Sequence, residues 1–123
     1  MKAKHLFTLF LALSPLHANA MTRTSEIVDM CSDNGAKKLA CYTYLSGAVD
    51  QYTFSGSYIQ SLLNSGIKLD ERSALFCSSF DGTTEDLRNA YVNFSRKHQS
   101  SVNDPAALTF LKMMSTVWPC RNH

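Results

Sequence analysis

This chain has little that bends or breaks a helix: 3 prolines and 5 glycines in 123 residues. It has no alternating strand pattern of useful length, no internal repeat and no low-complexity tract. Those absences exclude solenoids, β-sandwiches and disordered linkers. There is no Gly-rich phosphate loop, no metal-ligand motif and no Cys-x-x-Cys pair, so nucleotide and zinc sites have no sequence support. The longest apolar run, Leu6 to Leu13, falls far short of the roughly 20 residues that span a bilayer. Of 4 histidines, His5 and His17 lie in the first 20 residues, leaving His98 and His123 for any chemistry further on.

The first 20 residues have the layout of a cleavable secretory signal. Lys2, Lys4 and His5 make a basic start, the apolar run follows, and Ala18-Asn19-Ala20 is a small-x-small end. No cysteine sits near that point, the first being Cys31, so a lipid anchor is not expected. Cleavage after Ala20 leaves residues 21–123, a length suited to one helical domain with a modest core and no membrane association. Without Lys2 and Lys4 the 12 basic residues become 10, equal to the 10 acidic ones. A balanced charge gives no reason to expect nucleic acid or an anionic membrane as partner. All four cysteines, Cys31, Cys41, Cys77 and Cys120, follow the leader. An even number in a small exported domain predicts two disulfides.

The organising stretch is Cys41 to Tyr52. Cys41, Leu45, Ala48, Val49 and Tyr52 recur at the period of one helical face. Gly47, next to that stripe, predicts a close backbone approach by another helix. A short helix precedes it, capped by Thr24 or Ser25, with Ile27, Met30 and Cys31 facing inward. Asp33 or Asn34 is the candidate cap of the long helix, and Gly56 is expected to interrupt or end it. Tyr58, Ile59, Leu62 and Leu63 then give one more apolar turn before Asn64-Ser65-Gly66 stops the pattern.

Residues 67–82 fit a short helix or an extended segment equally. They hold Lys68, Asp70, Glu71 and Arg72, then the apolar patch Leu75-Phe76-Cys77. Thr83-Thr84-Glu85-Asp86 places a hydroxyl cap and two acids at the start of a third helix, with Leu87, Ala90, Tyr91 and Phe94 inside. Asp104-Pro105 opens a fourth, with the acid as cap and proline at the first position. Its expected stripe is Ala107, Phe110, Leu111, Met114, Val117 and Trp118. The fold class is all-α, a four- to five-helix domain stapled by disulfides. Four cysteines allow three connectivities. If the last two helices form an antiparallel hairpin, Cys77 and Cys120 meet at one end while Cys31 and Cys41 flank the first turn. That geometry favours Cys31–Cys41 with Cys77–Cys120.

No convergent set of polar groups marks a catalytic centre. His98 sits where a helix-end cation would, His123 is terminal, and disulfides would remove any thiol nucleophile. Glu85 and Asp86 are explained as helix-start acids. No catalytic residue, metal or cofactor is predicted. Aromatic residues off the stripe, Tyr42, Tyr44 and Phe54, are either a rim around a small core or interface residues.

The ordered set of features resembles a known family. A leader is followed by a helix-end cysteine and, ten residues on, Cys41-Tyr42-Thr43-Tyr44-Leu45-Ser46-Gly47-Ala48-Val49-Asp50. Then come Phe76-Cys77, the capped start Thr83-Thr84-Glu85-Asp86-Leu87, Asp104-Pro105-Ala106-Ala107 and the exit Trp118-Pro119-Cys120. Together they resemble the Rap/Tai immunity proteins of bacterial type VI secretion systems, over nearly the whole chain after the leader. The resemblance implies a periplasmic, homodimeric, non-enzymatic protein that plugs a secreted peptidoglycan amidase effector, its cognate partner. It also implies an effector-binding segment between the last two long helices, here His98, Gln99, Ser100, Ser101, Val102, Asn103 and Asp104. Phe76-Cys77-Ser78-Ser79 and Arg96-Lys97-His98-Gln99 lack prolines common among such relatives, so loop shape is where this chain is expected to differ. The rival expectation is a periplasmic helical chaperone or acid-stress protein, against which the balanced charge weighs.

Overall fold

A computed structural model describes residues 21–70 and 75–120. The expected leader, Glu71, Arg72 and His123 lie outside the described residues. Among the described residues there are four α-helices, α1 (Thr24–Ser32), α2 (Ala36–Asn64), α3 (Thr84–Lys97) and α4 (Ala106–Val117), with a 3-10 turn at Gln99–Ser101. Among the described residues there is no strand, only one antiparallel bridge between Arg23 and Pro105. The all-α expectation holds. Each helix touches the other three around a shared core of Ile27, Cys31, Cys41, Leu45, Tyr52, Leu87, Tyr91, Phe94, Ala106, Phe110, Met113 and Met114.

The stripe of α2 lies where its spacing put it: Cys41 and Leu45 are fully buried and Tyr52 is nearly so. The close approach expected at Gly47 falls at Gly56 instead. Gly47 has open space where its side chain would be. Gly56 is buried inside an uninterrupted helix, and a methyl group there would overlap the carbonyl of Cys77 and come within 2.6 Å of the Ser78 nitrogen. Gly56 therefore does not end α2. It admits the backbone of the segment that follows.

α2 ends where the Asn64-Ser65-Gly66 cluster predicts. Gly66 takes φ 80°, its amide donates to Leu63 O (3.0 Å), and the Ile67 amide donates to Leu62 O (3.1 Å). That pair of bonds is a Schellman closure, in which a left-handed glycine lets the last carbonyls find donors. At the other end, Asp33 Oδ2 accepts from the amides of Gly35 (2.9 Å) and Lys37 (3.2 Å). Gly35 occupies the cap position itself, with Asp33 serving from two residues upstream.

α3 starts with a reciprocal capping box. The Thr83 hydroxyl accepts from the Asp86 amide (3.1 Å), and Asp86 Oδ2 accepts from the Thr83 amide (2.8 Å). In α4 the buried face is rotated from expectation: Ala106, Thr109, Phe110, Met113 and Met114 face inward, while Ala107 and Val117 are exposed. The physical reason is Thr109. A hydroxyl reads as a surface residue in sequence, yet this one is fully buried and hydrogen-bonded. Pro105 is the cap of α4, and the helix begins at Ala106. Asp104 makes no cap bond and pairs instead with Lys112 Nζ at 3.1 Å.

Both disulfides form in the favoured arrangement, Cys31–Cys41 and Cys77–Cys120, and no cysteine is free. The first is buried in the α1–α2 corner, whereas Cys120 is exposed. Residues 76–82 carry no helix. They are held by Phe76 against Tyr52 (5.7 Å between centroids) and Phe80 edge-on to Trp118 (5.0 Å).

Candidate functional site

The segment from His98 to Asp104 joins α3 to α4. It turns tightly on itself, with the Ser101 amide donating to His98 O (2.9 Å) and the Asp104 amide to Ser101 O (3.0 Å). Ser101 is buried, Asp104 is half-buried, and His98, Gln99, Ser100, Val102 and Asn103 are exposed. The segment is thus a folded turn with five exposed residues.

His98 closes the end of α3. Its ring stacks on Phe94 (4.1 Å, 23°), and Nδ1 lies 2.8 Å from the Phe94 carbonyl oxygen. A carbonyl can only accept, so Nδ1 donates in this bond. Gln99 Nε2 donates to Arg96 O at 3.1 Å, which fixes a second exposed side chain.

The other edge of the loop is held from a place the sequence reading did not anticipate. Thr24 and Ser25 do not cap α1; Arg23 occupies that position without a side-chain bond. The free amides of the first turn of α1 donate instead into the loop, Thr24 to Asp104 O (2.9 Å) and Ser25 to Val102 O (3.1 Å). In return the first amide of α4, on Ala106, donates to Thr22 O (2.8 Å). Helix-start donors that lack an intrahelical partner normally need a side-chain cap or water. Here each helix start is satisfied by backbone beside the other.

Beneath these bonds lies a set of buried hydroxyls. Thr24 Oγ1 donates to Asp104 O (2.9 Å) and sits 2.7 Å from Thr109 Oγ1. The Tyr91 hydroxyl donates to Ala106 O at 3.2 Å. Burial pushes the Tyr91 phenol well above its ordinary value. A signal for the two threonines existed: Thr24 precedes Ile27 and Cys31 at helical spacing, and Thr109 falls between Ala106 and Met113. A hydroxyl on an apolar stripe marks a buried hydrogen bond rather than solvent.

A second polar cluster fastens the α1–α2 corner to α3. Arg88 donates to Cys31 O (2.7 Å), pairs with Glu85 (2.8 Å) and reaches Asn34 Oδ1 (3.4 Å). Tyr42 donates to the other oxygen of Glu85, and Lys38 lies over the Tyr42 ring at 5.3 Å. The Tyr42 hydrogen bond, then Arg88, hold the Glu85 carboxyl below its ordinary range. Tyr42 and Tyr44 are therefore rim residues. Phe54, by contrast, is 67 % exposed and packs on nothing in the core.

Among the described residues no group of three or more His, Cys, Asp and Glu side chains is arranged to hold a metal ion. No helix of the described residues is long and apolar enough to cross a membrane. An open apolar groove lies between α1 and α2, lined by Ile27, Met30, Leu39, Ala40 and Tyr44 among others.

No curated protein and no solved structure matches the chain. A family model described as Rap1a immunity proteins matches residues 23–120, from the Arg23–Pro105 bridge to the Cys77–Cys120 disulfide. With helices, loop and both disulfides inside that match, the chain belongs to the Rap1a immunity protein family.

Proposed function

We propose that this chain is an exported, periplasmic immunity protein that binds a type VI secreted peptidoglycan amidase and blocks it sterically. The family supports the immunity role. The observation that carries the mode of action is the loop itself. Its outward side chains stand on a turn braced from two helices, so little ordering entropy is lost when it enters a cleft. Inhibition of this kind needs no chemistry from the inhibitor, only shape and desolvated contacts.

The protein acts as a homodimer in this reading, and the distal half of α2 supplies the surface. From Gln51 to Ile67 there is no charged residue, yet Phe54, Tyr58, Leu63 and Ile67 are exposed. Interface centres are depleted in charge and enriched in aromatic side chains. An uncharged face meets a second copy of itself without like-charge repulsion, which favours self-association over a charged partner.

The test replaces Gln99 to Val102 by a Gly/Ser linker of equal length. Helicity, dimerisation and inhibition of any cysteine amidase found encoded beside this chain are then measured together. Loss of inhibition with helicity and dimer retained is the expected result. Full inhibition by the linker variant removes the loop from the contact, and failure of the unmodified protein to inhibit removes the amidase assignment.

A further inference from the structure

The loop is not complete as a feature of α3 and α4 alone. We propose that Thr24 is a positioning residue for the His98–Asp104 loop, holding its outward face in the binding-ready shape from beneath. The inference rests on the reading of that loop as the contact.

Thr24 is 1 % exposed and touches no outside partner, so it acts only through what it holds. It gives the loop two bonds to one atom: its amide and its hydroxyl both donate to Asp104 O, each at 2.9 Å. A carbonyl oxygen has two lone pairs, and Thr24 fills both. A threonine hydroxyl has a single proton, already given to Asp104 O. The 2.7 Å contact with Thr109 must then run from Thr109 to Thr24. The relay is directional, Thr109 to Thr24 to Asp104 O, and it is buried at Thr24 and Thr109. Removing one member of a buried relay leaves a donor or acceptor without a partner, a larger penalty than the bond itself is worth.

The next residue extends the hold, since the Ser25 amide donates to Val102 O, the carbonyl of an exposed loop residue. Loss of the Thr24 hydroxyl frees the Asp104 end of the loop, and that freedom reaches Val102 through the shared first turn of α1. The side chains that face a partner are untouched. What changes is how often the loop has the right shape.

The experiment follows amide hydrogen exchange by NMR on the mature chain, with no partner present. Thr24→Val, Thr24→Ser and Thr109→Val are compared with the unmodified protein. Thr24→Val is expected to speed exchange at Ser25, Asp104 and Ala106 by roughly tenfold, the scale of one lost buried hydrogen bond. The core amides of α3 from Leu87 to Phe94 stay within about twofold. Thr24→Ser keeps the hydroxyl and restores protection to within about threefold. Thr109→Val, which retains the Thr24 bonds, gives an intermediate loosening and serves if Thr24→Val does not fold.

Unchanged exchange at Ser25 and Asp104 in Thr24→Val, or an equal rise throughout α3, overturns the proposal. So does a failure of serine to restore protection. The linker replacement described above tests separately whether this loop is the contact, so the two readings fail independently.

Discussion

The two halves of α2 both carry large apolar side chains and meet opposite fates. From Ala36 to Tyr52 the helix buries Cys41, Leu45 and Tyr52, with Tyr52 edge-on to Phe110 of α4 at 6.3 Å. From Thr53 to Asn64 only Gly56 is buried, while Phe54 and Tyr58 are 67 % and 58 % exposed. Periodicity specifies which residues share a face. Whether that face is covered depends on how far the other helices reach, and here their cover fails beyond Tyr52. Among the described residues, the backbone of Cys77 comes against this second half at Gly56.

Leu45→Asp gives the largest expected effect. It buries a carboxylate with no partner at the centre of the covered half, a loss of several kcal/mol that exceeds the margin of many small domains. Loss of the cooperative thermal transition and of near-UV dichroism would be seen. Next is Gly56→Ala, because backbone rather than a flexible side chain stands in the way. A destabilisation of about 1–3 kcal/mol in urea is expected. A neutral Gly56→Ala would mean that the Cys77 segment is not seated on α2.

Acid should separate the halves more gently. Glu85, held below its ordinary pKa by Tyr42 and Arg88, ties the covered half to α3. A carboxylate with a depressed folded pKa adds stability above its unfolded pKa, and that stability is lost as pH falls through the folded pKa. Asp86 is depressed in the same direction by its Thr83 cap bonds. A fall in melting temperature below about pH 4 is therefore expected, flattened in Glu85→Gln. Between Gln51 and Ile67 nothing titrates in that range. The smallest change in protomer stability belongs to Phe54→Ser with Tyr58→Ser, within about 0.5 kcal/mol per exposed site. The same double variant should abolish dimerisation in sedimentation analysis. A large loss of protomer stability would show that these rings are covered within the chain.

What was legible in the sequence follows from these physical differences. Thr83 and Asp86 announced α3 because a capping box is made by residues three apart. The Asn64-Ser65-Gly66 stop was readable for the same local reason. Gly56 was misread because a helix can carry a glycine when a distant backbone needs its space, and the distant backbone is 21 residues on. The face of α4 came out rotated because Thr109 and Met113 were left out of the stripe. Its partner, Thr24, lies 85 residues away. The seven residues of the candidate loop came from family likeness; their bracing by α1 had no local signature.

The distance between Thr24 and Thr109 also has a kinetic meaning. The Cys31–Cys41 corner closes a loop of sequence separation 10 and needs nothing beyond the first two helices and Arg88 to settle. The bonds of Thr24 to Asp104 and Thr109 join points 80 and 85 residues apart. Closing so long a span is entropically costlier, and contacts of high sequence separation form slowly. The earliest residues of the helical domain thus wait for the last helix before either is fully bonded. A chain that emerges from its N-terminus, or one truncated ahead of α4, can build the corner but not the strap over the loop. The bonds that brace the loop from α1 are in this way expected only in a finished chain, late in folding.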